Sequence, residues 1–156
     1  MIRLVARPFD SPDAQRLIRA LYAEQLDTYG FADSPDREAS GDYDPPRGLL
    51  LVAYSPAGEP IGCGGYRTYN QAEQVAEVRK MYVRPAERGQ GVGRQLLSQL
   101  EQEAAEHGAC RMLLETGSLN SSAIGLYAAS GYEAIQSYVT GRRLTNRAFA
   151  KQLCQG

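Results

Sequence analysis

At 156 residues the chain has the length of one compact domain, and 43% hydrophobic with 22% charged residues is the mix of an ordinary globular protein. A formal net charge of −1 excludes a general attraction to nucleic acid or to an acidic membrane surface, and no apolar run approaches the roughly 20 residues that span a bilayer. The opening MIRLVARPFD lacks the apolar core of a secretory signal, so a cytoplasmic protein is expected.

Residues 2–9 alternate apolar and polar side chains and are predicted as a strand. Ser11 and Pro12 supply a helix cap and a first-turn proline, and Ala14, Leu17, Ile18 and Leu21 continue as an apolar stripe. Residues 27–47 are polar, acidic and rich in Pro and Gly, which predicts loops with a short helix after Ser34-Pro35. Gly48–Tyr54 and residues 60–69 read as a hairpin turning at Ser55, Pro56, Ala57 and Gly58. Residues 77–83 form a further strand. Residues 91–108 form a helix with Val92, Leu96, Leu97, Leu100 and Ala104 on one face. Residues 111–115 read as a buried strand and 120–130 as a helix stopped by Gly131. Residues 132–139 and 146–153 are the last strands.

This order predicts a single domain over residues 1–156: a mixed α/β sheet with helices on both faces. Strands 77–83 and 111–115 flank a crossover helix and should be parallel. The three cysteines, Cys63, Cys110 and Cys154, are odd in number and far apart, which argues against a disulfide framework or a Cys-x-x-Cys metal knuckle. With His107 the one histidine, a zinc site or a Ser-His-Asp triad has almost nothing to build on, and no metal is expected.

The sharpest local feature is Arg88-Gly89-Gln90-Gly91-Val92-Gly93, between a strand and a helix. Glycines there let the backbone turn tightly and approach a ligand, and the free amides of the next helix form an anion site. Arg84, Arg88 and Arg94 add positive charge, so a pyrophosphate would fit. A tightly packed helix start is the plainer reading of the same glycines. A dinucleotide fold also places Gly-x-Gly-x-x-Gly here, with an acid at about the distance of Glu115. It fails because five residues, Arg84 to Arg88, separate strand from glycine and the third glycine comes one residue early. The Walker pattern fails for want of Gly-Lys-Ser/Thr.

Glu77-Val78-Arg79-Lys80-Met81-Tyr82-Val83, four residues, then Arg88 to Gly93 resembles the main motif of the GNAT superfamily of acyl-CoA-dependent N-acetyltransferases, Gln/Arg-x-x-Gly-x-Gly/Ala. Asn120, Ala123, Leu126-Tyr127 and Gly131-Tyr132-Glu133 follow in register as a second family-like segment. The resemblance implies a mostly antiparallel sheet whose two central parallel strands splay apart. It implies acetyl-CoA as co-substrate, its arm against the backbone of Met81, Tyr82 and Val83 and its pyrophosphate on Arg88, Gly89, Gln90, Gly91, Val92, Gly93 and Arg94. The Met81 amide would face the thioester oxygen. Glu77 holds the family's base position, Tyr127 that of the acid that protonates the sulfur, and Asn120 that of a cofactor contact.

The residues themselves leave plainer roles open. Glu77 could be an ion pair with Arg79 or Lys80, Tyr127 a packing aromatic, Asn120 a cap alone, and Glu115 a ligand of an acceptor ammonium, a partner of Lys80 or a second base. Alternation places Glu77 on one strand face with Arg79 and Met81, unless a bulge intervenes. Cys63 and Cys110 read as buried structural thiols. The acceptor is expected to be a primary amine of a small molecule or peptide. The acids Asp27, Asp33, Asp36, Glu38, Asp42 and Asp44 would favour a cation, Arg142 and Arg143 a carboxylate, and both together an amino acid, a peptide end or an aminated metabolite. A homodimer is left open, and a non-catalytic acyl-CoA binder is the alternative function.

Overall fold

A computed structural model describes residues 1–30, 40–138 and 146–154. Seven strands form one sheet: β1 (Arg3–Ala6), β2 (Gly48–Tyr54), β3 (Pro60–Asn70), β4 (Val75–Val83), β5 (Arg111–Gly117), β6 (Glu133–Ile135) and β7 (Asn146–Gln152). Their order across the sheet is β1-β2-β3-β4-β5-β7-β6. Neighbours are antiparallel except β4 and β5, which are parallel, as the crossover predicts. Among the described residues the three α-helices are α1 (Pro12–Tyr29), α2 (Val92–Glu106) and α3 (Ser121–Ala129).

The helices close both faces. On one, Ala14, Leu17 and Ile18 of α1 pack on Leu50, Val52, Cys63 and Tyr82. On the other, Val92, Leu96, Leu97, Leu100 and Ala104 of α2 pack on Leu49, Leu51, Ala76, Val78, Met112 and Leu114. Ala123, Ile124, Leu126 and Tyr127 of α3 join that second core.

Several bounds differ from expectation for local reasons. The first strand is four residues long, because Pro8 has no amide to continue the ladder. The first helix runs on to Tyr29, where Gly30 at φ 78° sends its amide back to the Leu26 carbonyl. A 3-10 turn covers Ser40–Tyr43; the helix expected after Ser34-Pro35, and Asp33, Asp36, Glu38, Arg142 and Arg143, lie outside the described residues.

One cysteine expectation is corrected. Cys110 and Cys154 are joined in a disulfide, with Cα atoms 4.6 Å apart. They are 44 residues apart in sequence, but β5 and β7 are adjacent antiparallel strands. The amides of Leu153 and Cys154 both reach the Cys110 carbonyl, which brings the two sulfurs together at the sheet's end. Cys63 is a fully buried thiol as expected, donating to the Lys80 carbonyl at 3.2 Å. Among the described residues no helix is long and apolar enough to cross a membrane.

Candidate active site

The site begins where β4 and β5 part. Their register pairs Val75 with Arg111, Ala76 with Met112 and Glu77 with Leu113, and then pairing stops. Both strands run on, to Val83 and Gly117, with an opening between them. A cavity of about 750 Å³ fills the opening. Its walls include Glu77 to Val83 of β4, Glu115 to Gly117 of β5, Leu21 to Tyr29 positions of α1, the start of α2, and Asn120 to Tyr127 positions of α3. Because α1 and α2 lie on opposite faces, the cavity passes through the plane of the sheet.

A bulge shapes its β4 wall. Gly65 faces Arg79 and Cys63 faces Tyr82, so the ladder skips Lys80 and Met81 against the single residue Gly64. Lys80 takes φ 64°, an unusual conformation for a residue with a side chain. The bulge corrects the simple alternation. Met81 and Val83 join the α2-side core, whereas Tyr82 joins the α1-side core and Lys80 reaches the α1 residue Tyr22, 5.0 Å above its ring. Glu77 therefore shares a face with Arg79, Lys80 and Tyr82, not with Met81.

At the α2 end the wall is backbone. Gly89 and Gly91 have φ 82° and 85°, which turn the chain into α2. Gly91 is the N-cap and carries no capping side chain; the first helical bond runs from the Gln95 amide to the Gly91 carbonyl at 3.0 Å. The amides of Val92, Gly93 and Arg94 are thus left outside the helical ladder, the arrangement that binds anions. Gly89, Gly91, Val92, Gly93 and Arg94 line the cavity; Gln90 does not. The flanking arginines are less free than their spacing suggests. Arg84 turns to Glu87 at 2.6 Å and Glu59 at 3.5 Å. Arg88 lines the cavity but bonds Glu24 at 2.7 Å and the Val83 carbonyl at 2.8 Å.

Helix α3 supplies the next wall. The Asn120 side chain accepts from the Ala123 amide at 3.2 Å, so it caps the helix while lining the cavity. Tyr127 is 4% exposed and packs on Tyr132 and Phe149, at ring separations of 5.9 and 6.2 Å. It is part of the core and also a cavity wall. Burial pushes its phenol well above the ordinary tyrosine value. Tyr132, expected in the core, is buried there and donates to Glu101 at 2.8 Å.

The acidic groups sit on the α1 side. Glu77 is 1% exposed. Its Oε1 accepts Arg67 at 3.0 Å and lies 3.7 Å from Arg79, and its Oε2 accepts the Tyr138 hydroxyl at 2.5 Å. Arg79 was an anticipated partner; Arg67 and Tyr138 were not, since only the β3–β4 register and the fold bring them near. Glu115 accepts from Ser137 at 3.1 Å and Asn146 at 3.2 Å. Tyr29, at the end of α1, was also missed. Its hydroxyl accepts the Leu119 amide at 3.2 Å, and any side chain at Gly117 would overlap its ring. That glycine was the available signal.

Residues 15–132 match the Acetyltransferase (GNAT) family. The uncharacterized N-acetyltransferase YjgM of Escherichia coli K12 is 35% identical over 132 residues, covering 81% of this chain and 78% of that protein. A solved structure from Klebsiella pneumoniae, described as a candidate acyl-CoA N-acyltransferase, superposes with a TM-score of 0.82 at 26% identity and 99% coverage of both chains. The candidate acetyltransferase yncA of Salmonella typhimurium, solved with its cofactor acetyl-CoA, shares the fold with a TM-score of 0.73 at 24% identity, over 99% of this chain and 96% of that one.

Proposed function

This chain belongs to the GNAT family of acetyltransferases and is an acetyl-CoA-dependent N-acetyltransferase, and from that premise we propose direct transfer to the primary amine of a small molecule or peptide, with Tyr127 as general acid and Glu77 as base. The observation that carries the reading is the cavity through the β4–β5 opening, which runs from the α2 amides past Tyr127 to Glu77.

The residues present suit acetyl-CoA. The amides of Val92, Gly93 and Arg94 suit a pyrophosphate, and the β4 edge beyond Glu77 suits an extended arm laid along it. Bound acetyl-CoA supplies an activated thioester. The amide of Met81, on the stretch that the ladder skips, is the donor we assign to the acyl oxygen. Tyr127 holds its proton firmly, because burial disfavours the phenolate. A phenol of that kind donates to charge developing on sulfur and stays protonated between turnovers.

Amines are mostly protonated at neutral pH, with a lysine-like value of about 10.4, so a proton must leave before attack. Arg67 and Arg79 hold the Glu77 carboxylate in place, and Oε2 takes the proton once the Tyr138 hydroxyl turns aside. An acyl-enzyme on cysteine has little support. Burial raises the Cys63 thiol to about 12, and Cys110 is bonded to Cys154.

Thiol release from acetyl-CoA over an amine panel tests the reading. Release that depends on amine, with no acetyl-protein formed beforehand, is expected. Tight acetyl-CoA binding without turnover on any amine would favour an acyl-CoA sensor instead.

A further inference from the structure

We propose that Glu24 is a positioning residue for the cofactor: it holds the Arg88 guanidinium on the α1 side of the cleft, and the pyrophosphate of acetyl-CoA draws that guanidinium away. The inference rests on the reading that places the pyrophosphate at the start of α2.

The three arginines around the glycine turn are held in different ways. Arg84 pairs with Glu87, three residues further along the same turn. Arg94 donates to the Ala129 carbonyl of α3 at 3.4 Å. Arg88 is bonded across the cleft. Its backbone belongs to the turn that leads into α2, while its guanidinium donates to Glu24 of α1 at 2.7 Å. Glu24 and Arg88 both line the cavity, so the pair bridges two of its walls.

The guanidinium lies on the α1 side of that bridge. Its Nε donates to the Val83 carbonyl at 2.8 Å, and its central carbon sits 5.6 Å from the centre of the Tyr82 ring, which belongs to the α1-side core. The open amides of Val92, Gly93 and Arg94 start α2, and Val92 belongs to the opposite core. With Nε on Val83 and a terminal nitrogen on Glu24, the edge that would grip a phosphate through two parallel bonds is already in use.

The relative strengths favour an exchange of partners. The two side chains are 40% and 39% exposed, and an exposed ion pair shifts an equilibrium by at most about fivefold. A pyrophosphate carries two charges, accepts paired bonds from a guanidinium and is held at the same time by the α2 amides. It therefore takes Arg88, and Glu24 is left as a carboxylate on the α1 wall. Pyrophosphate and Glu24 compete for one cation, so each weakens the hold of the other. A bridge that merely pre-set Arg88 for phosphate would act in the opposite sense, and its loss would weaken the cofactor.

The test is a double-mutant cycle read by calorimetric titration of coenzyme A into wild type, Glu24→Gln, Arg88→Gln and the double variant. Both positions are exposed, and circular dichroism checks the fold. At about 0.15 M salt, screening over roughly 8 Å limits effects of charge that do not pass through Arg88. Glu24→Gln should bind coenzyme A about two- to fivefold more tightly than wild type, and Arg88→Gln at least about threefold more weakly. In the Arg88→Gln background the Glu24 change should alter affinity by less than about 1.5-fold. Unchanged or weaker binding by Glu24→Gln, unchanged binding by Arg88→Gln, or an equal gain from Glu24→Gln in both backgrounds overturns this inference and leaves the cofactor site intact. No binding of coenzyme A by wild type overturns both.

Discussion

The α2 end of the cleft and its α1 end are made of different material. At the α2 end the cavity-facing groups are amides: Gly89 and Gly91 set the turn, and Val92, Gly93 and Arg94 present N–H groups. At the α1 end they are charged side chains, Glu77, Arg79, Lys80 and Glu115, fixed by Arg67, Tyr138, Ser137 and Asn146. A backbone site needs glycine and geometry and tolerates changes of side chain. A side-chain site can be re-aimed by a few substitutions, which is where acceptor choice can vary on one fold. Tyr127 lies between the two and should serve both.

The strongest way to probe that division is at the junction. Tyr127→Phe should lower kcat by about 10–10⁴-fold, bracketing the usual worth of positioned proton transfer, with little change in KM for acetyl-CoA. The ring and its packing on Tyr132 and Phe149 are retained. Since burial raises the Tyr127 phenol, the wild type should show no alkaline fall in kcat where an ordinary tyrosine ionises, near pH 10. Wild-type turnover by Tyr127→Phe with chemistry limiting would make Tyr127 a packing residue alone.

Breaking the Cys110–Cys154 link asks whether stability and chemistry separate. The bond closes a span of 44 residues, for which chain entropy gives about 4 kcal/mol of stabilisation. It lies at the end of β5 remote from Glu115. Cys154→Ser should therefore lower the denaturation midpoint of oxidised protein and leave kcat within about twofold. Loss of kcat in the folded variant would tie this end of the sheet to the site.

A smaller effect is expected at Glu77. Its carboxylate already accepts Arg67 and Tyr138, and Glu115 shares its cleft. Glu77→Gln should lower kcat/KM by about tenfold, below the roughly 100-fold usual for a lone positioned base. An unchanged kcat/KM would move the base elsewhere.

The two ends also differ in how far they could be read from sequence. The glycine turn, the Asn120 cap and the parallel β4–β5 pair are local patterns or follow from element order, so they were legible. The β2 bounds, an unbroken apolar run, were legible in full. A bulge in this strand was open as a possibility, but its place was not legible, because a lysine at φ 64° carries no propensity signal; the glycines at 64 and 65 opposite were its one trace. Nor were the Arg67–Glu77 pair and the Cys110–Cys154 link, which depend on strand register between positions 10 and 44 residues apart. Arg88 was read as a phosphate ligand from its spacing, yet Glu24 of α1 engages it, a contact that only helix placement creates.

The most direct measurement is a calorimetric titration of coenzyme A into wild type, Gly91→Ala and Gly91→Asp. Alanine tests the strain at φ 85°, and aspartate adds a carboxylate that caps the same amides and repels pyrophosphate. If the α2 amides hold the pyrophosphate, Gly91→Asp should bind at least about tenfold more weakly than Gly91→Ala, both folded by circular dichroism. Equal affinity in the two folded variants would contradict a cofactor site at the start of α2.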